Sequence, residues 1–274
     1  MTKFVKVFDL FKMYGLSYAI SVIINRLLGI IGIPSEIETI KTRVNKEIGF
    51  KFSNTIAYGV FKGMKMSDKV WWGKYDVASK ILGQYESHVI DKIVQLSNEC
   101  DTFIDIGAAD GYFAIGAVKS ELYSKSICFE LSEIGQKVII ENSKLNDISD
   151  SVAVYGVATE DSIKDILSQN EKAVVLCDIE GAEFDVLTVG MLEVLKNCSI
   201  IIELHDTFTA GADNRREKLF DRAKNFFEIS YLSRTNPDVY EFSELNYLND
   251  NERFLIFSEG RPLNMEWVCF SPKL

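Results

Sequence analysis

From residue 101 onward, short apolar runs alternate with longer stretches in which apolar positions recur at helical spacing. The runs are TFIDIG (102–107), SICFEL (126–131), SVAVYGV (151–157), AVVLCDI (173–179), SIIIEL (199–204), FEISYLS (227–233) and RFLIFSE (253–259). Between them the spacing predicts helices over 111–120, 132–145, 160–168, 183–197 and 212–226. Continuous apolar strands separated by helices mean βαβ units and a parallel sheet covered on both faces. The polar stretch 234–251 carries no helical pattern, so the last two runs are expected to form an antiparallel hairpin at one sheet edge. The expected architecture is α/β and Rossmann-like: a seven-stranded, mostly parallel sheet with an antiparallel edge strand.

The first 80 residues follow another rhythm. YAISVIINRLLGIIGI (18–33) is apolar except for a serine, Asn25 and Arg26. A spanning helix needs about 20 apolar residues, and this run is shorter and carries an arginine. Residues 3–30 are therefore expected to form one or two amphipathic helices that pack on the domain or on a second copy of the chain. Contact with a membrane surface is the alternative use. No small-residue cleavage site follows cleanly, so a secretory signal is not expected. TIAYGVFKGMKM (55–66) has glycines where a hairpin would turn, and a helix is expected over about 85–99. The chain divides into an N-terminal extension, 1–80, and a ligand-binding domain, 81–274, with no linker between them.

Composition narrows the function. Hydrophobic residues make up 47% of the 274, enough to fill a core. Forty acidic against 30 basic residues give a net charge of −10, which disfavours nucleic acid as a partner. Cys100, Cys128, Cys177, Cys198 and Cys269 form no CxxC pair and read as reduced thiols of a cytoplasmic protein. With only His88 and His205, far apart in sequence, no zinc-type ligand pattern exists.

Chemistry concentrates at strand ends, where open α/β sheets bind their ligands. The first strand ends Asp105-Ile106-Gly107-Ala108-Ala109-Asp110-Gly111-Tyr112-Phe113. Its two glycines, four apart, let backbone approach a ligand closely. A dinucleotide turn would read G-x-G-x-x-G to seat a pyrophosphate on a helix N-terminus. Here acids stand at Asp105 and Asp110, which suit a cationic ligand. S-adenosylmethionine carries both an ammonium and a sulfonium. Glu130, followed by Leu131 at the end of the second strand, is placed to accept ribose hydroxyls. Asp178-Ile179-Glu180-Gly181-Ala182-Glu183 follows the fourth strand, and Glu203-Leu204-His205-Asp206 ends the fifth. Strand alternation puts Glu203 and His205 on one side. His205, with an ordinary pKa of about 6.5, is a candidate general base. Asp178, Glu203, His205 and Asp206 equally offer a ligand set for a divalent metal such as Mg or Mn. Trp71-Trp72 suits stacking on a sugar face or simple packing. Arg215 and Arg216 suit an anionic acceptor or a solvated helix face.

FIDIGAADGYF (103–113), Glu130, CDIEGAEFDVL (177–187) and IIIELHD (200–206) resemble the FkbM-type branch of class I S-adenosylmethionine-dependent methyltransferases. LGQYESHV (82–89) resembles the segment such proteins carry ahead of the first strand. The resemblance covers about residues 82–206. It implies the class I methyltransferase fold and methyl transfer to a hydroxyl of a small molecule, often a sugar or glycan. Under it Asp105, Gly107 and Gly111 hold the methionine part, with Ala108, Asp110, Tyr112 and Phe113 beside them. Glu130 and Leu131 take the ribose, and Glu86 meets the amino group. Asp178 and Glu180 border the sulfonium and the acceptor, and His205 takes the proton. The rival readings are a nicotinamide-dependent oxidoreductase and a non-catalytic binding protein on the same fold.

Overall fold

The computed structural model describes residues 33–167, 171–205, 214–259 and 265–273, and the single positions Gly15, Leu16, Ile20 and Ile24. The expectation for residues 3–30 falls almost wholly outside them. Before the sheet come α1 (Glu36–Lys51), α2 (Val77–Ile81) and α3 (Ser87–Leu96). Then follow β1 (Thr102–Ile106), α4 (Tyr112–Lys119), β2 (Lys125–Phe129), α5 (Glu133–Leu145), β3 (Val152–Tyr155) and α6 (Glu160–Ile166). Next are β4 (Val174–Cys177), α7 (Glu183–Val186), α8 (Val189–Val194), β5 (Ser199–Leu204) and α9 (Arg215–Ala223). The chain closes with β6 (Phe227–Tyr231), α10 (Asp250–Phe257) and β7 (Glu266–Pro272).

The seven strands lie in the order β3-β2-β1-β4-β5-β7-β6. Strands β1 to β5 pair in parallel, and β7 runs antiparallel to both β5 and β6. The antiparallel edge expected from the sequence is thus the β6–β7 pair. Ile106 pairs with both Phe129 and Cys177, so the carboxyl ends of β1, β2 and β4 finish level. That level rim, next to the end of β5, is where the site forms.

Residues of β1, β4 and β5 are buried along their whole length. Alternation splits them between two cores. Phe103, Leu176, Ile201 and Trp267 face one, and Ile104, Val175, Ile202 and Phe270 the other. Val44, Ile48, Phe61, Met64, Ile81 and Leu82 of the N-terminal part belong to the first core. Residues 55–66 form the expected hairpin, closed by an antiparallel bridge between Thr55 and Lys65. Its apex places Phe61 on α4 at Gly116, where an added Cβ would lie 2.4–2.6 Å from the Phe61 ring.

The last strand was misplaced by the apolar pattern. Residues 253–257 belong to helix α10, not to a strand, because Asn249 and Glu252 form a capping box that starts a helix. Of that helix only Ile256 is buried. The true strand, EWVCFSP (266–272), has a continuous buried run because it lies between two other strands. The predicted helix over 183–197 also divides, where the Thr188 side chain accepts the Met191 N–H and starts α8 afresh. Among the described residues no helix is long and apolar enough to cross a membrane.

Helix propensity alone favours alanine over glycine by about 1 kcal/mol. Forcing a methyl group against a ring in a filled core costs about 1–3 kcal/mol, and Phe61 is 2% exposed. Gly116→Ala is therefore expected to lower the unfolding free energy measured in urea. A gain in stability would show that Phe61 leaves its groove without cost.

Candidate functional site

A cleft of about 280 Å³ opens over the carboxyl ends of β1, β2 and β4. Asp105, Gly107, Ala108, Asp110, Tyr112, Phe113, Glu130, Leu131, Asp178 and Glu180, all singled out from the sequence, line it. Gly111, Glu86, Glu203 and His205 do not line it, and Asp206 lies outside the described residues.

The turn after β1 is built by backbone that only glycine tolerates. Gly107 has φ +93°, and a Cβ there would lie 1.9 Å from the Asp178 carbonyl oxygen. The glycine is needed for the β1 turn to pass the β4 loop, a role distinct from the ligand approach expected of it. Gly111, at φ +80°, starts α4. Ala109 has φ +51° without being glycine, and its N–H donates to Glu130 Oε2 at 2.9 Å. A non-glycine residue held in this region carries strain that its surroundings must hold.

The acids on the rim reach different settlements. Glu130 accepts the Ala109 N–H and, through Oε1, the Ser132 N–H at 2.8 Å. Asp110, expected to face a cationic ligand, is instead engaged within the protein. Its Oδ2 accepts from Lys80 Nζ at 2.7 Å, and its Oδ1 from the Tyr112 N–H at 3.2 Å. Asp105 is 2% exposed, and among the described residues its Oδ2 has no hydrogen-bond partner. Burial raises the Asp105 carboxyl to about 8, opposed by the Ala114 N–H and helped by the charges of Asp110 and Glu130.

At the ends of β4 and β5, His205 is enclosed by carboxylates. Its Nε2 lies 3.4 Å from Glu203, 3.5 Å from Glu180 and 3.7 Å from Asp178, and its Nδ1 lies 3.4 Å from Glu183. Glu203 and His205 do share one side of the strand. Burial pushes the imidazole pKa down, but the hydrogen bond it donates to the Glu183 carboxylate and the charges of Asp178, Glu183 and Glu180 outweigh it, and the net shift is upward. A base needs contact with the proton it takes. At 2% exposure and behind Asp178 and Glu180, His205 lacks that contact with the cleft. Asp178, Glu203 and His205 each offer a ligand atom within 4.8 Å of the others.

Glu183, at 0% exposure, organises this corner and was not singled out by role. Its Oε2 accepts the Gly181 N–H at 2.8 Å and its Oε1 the His205 N–H at 2.7 Å. One carboxylate thereby joins the loop after β4 to the end of β5. The last acid of D-x-E-G-A-E was the signal for it. Arg215 donates to the Gly181 carbonyl at 3.2 Å and Arg222 to that of Phe184 at 2.8 Å. Arg216 pairs with Glu266. Arg215 and Arg216 thus brace the protein, where an anionic acceptor had been one of two expectations.

Sequence reasoning also missed Lys80, Tyr85 and residues 156–158, which line the cleft. Trp71 and Trp72 line it too, and Trp71 packs where a Cβ on Gly135 would lie 2.8 Å from its Nε1 and 2.7 Å from Glu130 Cγ. Trp71 therefore sits beside Glu130 in the cleft, while Trp72 stays half-exposed at its rim. Glu86, expected at the amino group, is buried behind the cleft wall. All five cysteines are free thiols.

No family model matches the sequence, and no curated protein matches it. Solved structures similar to the chain include precorrin-6y C5,15-methyltransferase from Geobacter metallireducens. It is 12% identical with a TM-score of 0.45, over 76% of this chain and 93% of that one. Geranyl diphosphate C-methyltransferase from Streptomyces coelicolor is 12% identical with a TM-score of 0.47, over 84% and 91%. A putative tRNA (m1A22) methyltransferase from Streptococcus pneumoniae is 13% identical with a TM-score of 0.41, over 67% and 69%. Likeness at this level carries no information about substrate or reaction, and the strand order stands on its own.

The Asp105 carboxyl sets a pH dependence. Between about 4, the ordinary aspartate value, and about 8, the folded chain holds a proton that the unfolded chain has released. Its contribution to ligand-free stability therefore falls as pH rises through that window and levels off above it. Thermal unfolding of the ligand-free protein is expected to show Asp105→Asn gaining on wild type from about pH 5 to 8. Parallel curves for the two would mean the carboxyl is not held protonated.

Proposed function

We propose that the chain is an S-adenosylmethionine-dependent O-methyltransferase acting on a hydroxyl of a small molecule of sugar or glycan type. The observation that carries this reading is the cleft itself. One end presents a buried acid with an unengaged oxygen, Asp105, and the other presents Glu130 beside an indole. An adenosine-bearing cation suits both ends. Bound there, the cofactor would supply an electrophilic methyl group on a sulfonium, held by Asp105 and the β1 turn at the amino-acid end and by Glu130 and Trp71 at the nucleoside.

The turn argues against a pyrophosphate. Its N–H groups are already spent inside the protein: Gly107 and Ala108 on the Phe129 carbonyl, Ala109 on Glu130, and Tyr112 on Asp110. Anion binding at a helix start needs such donors free. The nicotinamide reading loses support on that ground.

Positioning supplies much of the rate in a displacement at carbon, and the acceptor hydroxyl still has to lose its proton. Asp178 and Glu180 reach the cleft and take the place first given to His205. His205, held behind both, orients them. A divalent cation fits the convergent donors of Asp178, Glu203 and His205, and would act there as a Lewis acid on the hydroxyl. Trp72 at the rim offers an apolar face to a sugar ring.

Titration calorimetry is expected to show binding of S-adenosylhomocysteine and none of NAD. The reverse result would replace this reading with the oxidoreductase. With a hydroxylated acceptor that turns over, Asp178→Asn is expected to lower kcat by roughly 10²–10⁴. Activity that survives a chelator would remove the metal, and an unchanged kcat would remove Asp178 as the proton's destination.

A further inference from the structure

Lys80 is 4% exposed and is among the residues that line the cleft. It arrives from α2, in the N-terminal part, and reaches across to the turn after β1. Its Nζ donates to Asp110 Oδ2 at 2.7 Å and sits 5.2 Å from the ring centroids of both Tyr85 and Tyr112. An ammonium has three donors, and among the described residues Asp110 takes the one hydrogen bond it makes. The two rings hold the cation by their faces and offer it no acceptor. A buried cation with donors to spare, beside a cleft, suits an anionic group of a ligand.

The same end of the cleft holds Asp105, whose Oδ2 lacks a partner. A buried acid with an open acceptor oxygen and a buried ammonium at one end of a pocket complement a zwitterion. The α-amino acid head of the proposed cofactor is one.

We propose that Lys80 binds the α-carboxylate of the cofactor's methionine moiety, opposite Asp105 on the ammonium. The inference rests on the methyltransferase reading and adds a recognition residue from outside the strand-end segments. It also gives the N-terminal part a share in cofactor binding. Tyr85 and Tyr112 fix the height of the ammonium in the cleft, and Asp110 holds it in place when the cleft holds no ligand.

The test compares three ligands by titration calorimetry on the full chain: S-adenosylhomocysteine, its decarboxylated analogue, and 5′-methylthioadenosine, which lacks the amino acid. Wild type is expected to favour S-adenosylhomocysteine over the decarboxylated analogue by about tenfold or more, the worth of one charge-assisted hydrogen bond. Lys80→Gln should erase that preference and leave the affinity for 5′-methylthioadenosine unchanged. The double variant K80Q/D110N removes both charges of the pair together, and should behave alike where the single variant folds poorly. Equal wild-type affinity for the first two ligands overturns the role of Lys80 without any variant. So does a preference that survives in K80Q. Binding of none of the three overturns the methyltransferase reading on which the inference stands.

Discussion

Negative charge gathered at the carboxyl ends of parallel strands, where burial strips away water, is the constraint that shapes this protein. Each acid there must find donors, find a cation or give up its charge. Glu183 takes two backbone N–H groups and in doing so joins the loop after β4 to the end of β5. Glu130 does likewise between the turn after β1 and the start of the next helix. Asp110 takes the Lys80 ammonium. Asp105 meets no cation and keeps only the Ala114 N–H, so its carboxyl rises to about 8. The positions of the surrounding loops follow from how these groups are satisfied, because moving a loop would orphan a buried acid at a cost of several kcal/mol.

Most of the sheet was legible because a strand buried on both faces writes a continuous apolar run, as β1, β4 and β5 do along their whole length. The same rule explains the failure at the end of the chain. RFLIF is apolar enough for a strand, but the cap at Asn249 and Glu252 decides the matter, and a five-residue run has no period long enough to overrule it. WVCF, inside Glu266–Pro272, is the strand instead.

The site was legible where function and local sequence coincide. Gly107, Asp105, Glu130 and Asp178 sit at strand ends, and a strand end is a place the sequence can mark. What could not be read is long-range pairing. Nothing near Asp110 announces that Lys80, 30 residues earlier, will occupy it. Nothing near His205 says that Asp178 and Glu180 will stand between it and the cleft. Trp71 reads as half of a stacking or packing pair with Trp72, and nothing in the sequence shows that Gly135 leaves room for it beside Glu130.

The groove at Gly116 has a consequence for how the chain can be taken apart. Phe61 fills the missing side chain of α4, the helix that begins at Gly111, and the Asn142 side chain of α5 spans from the Asp110 carbonyl to the Ser67 N–H. The segment that carries Phe61 and Ser67 therefore braces α4 and α5 beside the cleft and is not a detachable cassette. Grafting a different N-terminal region onto this sheet would disturb the turn that opens α4, and with it the rim of the cleft, before anything else.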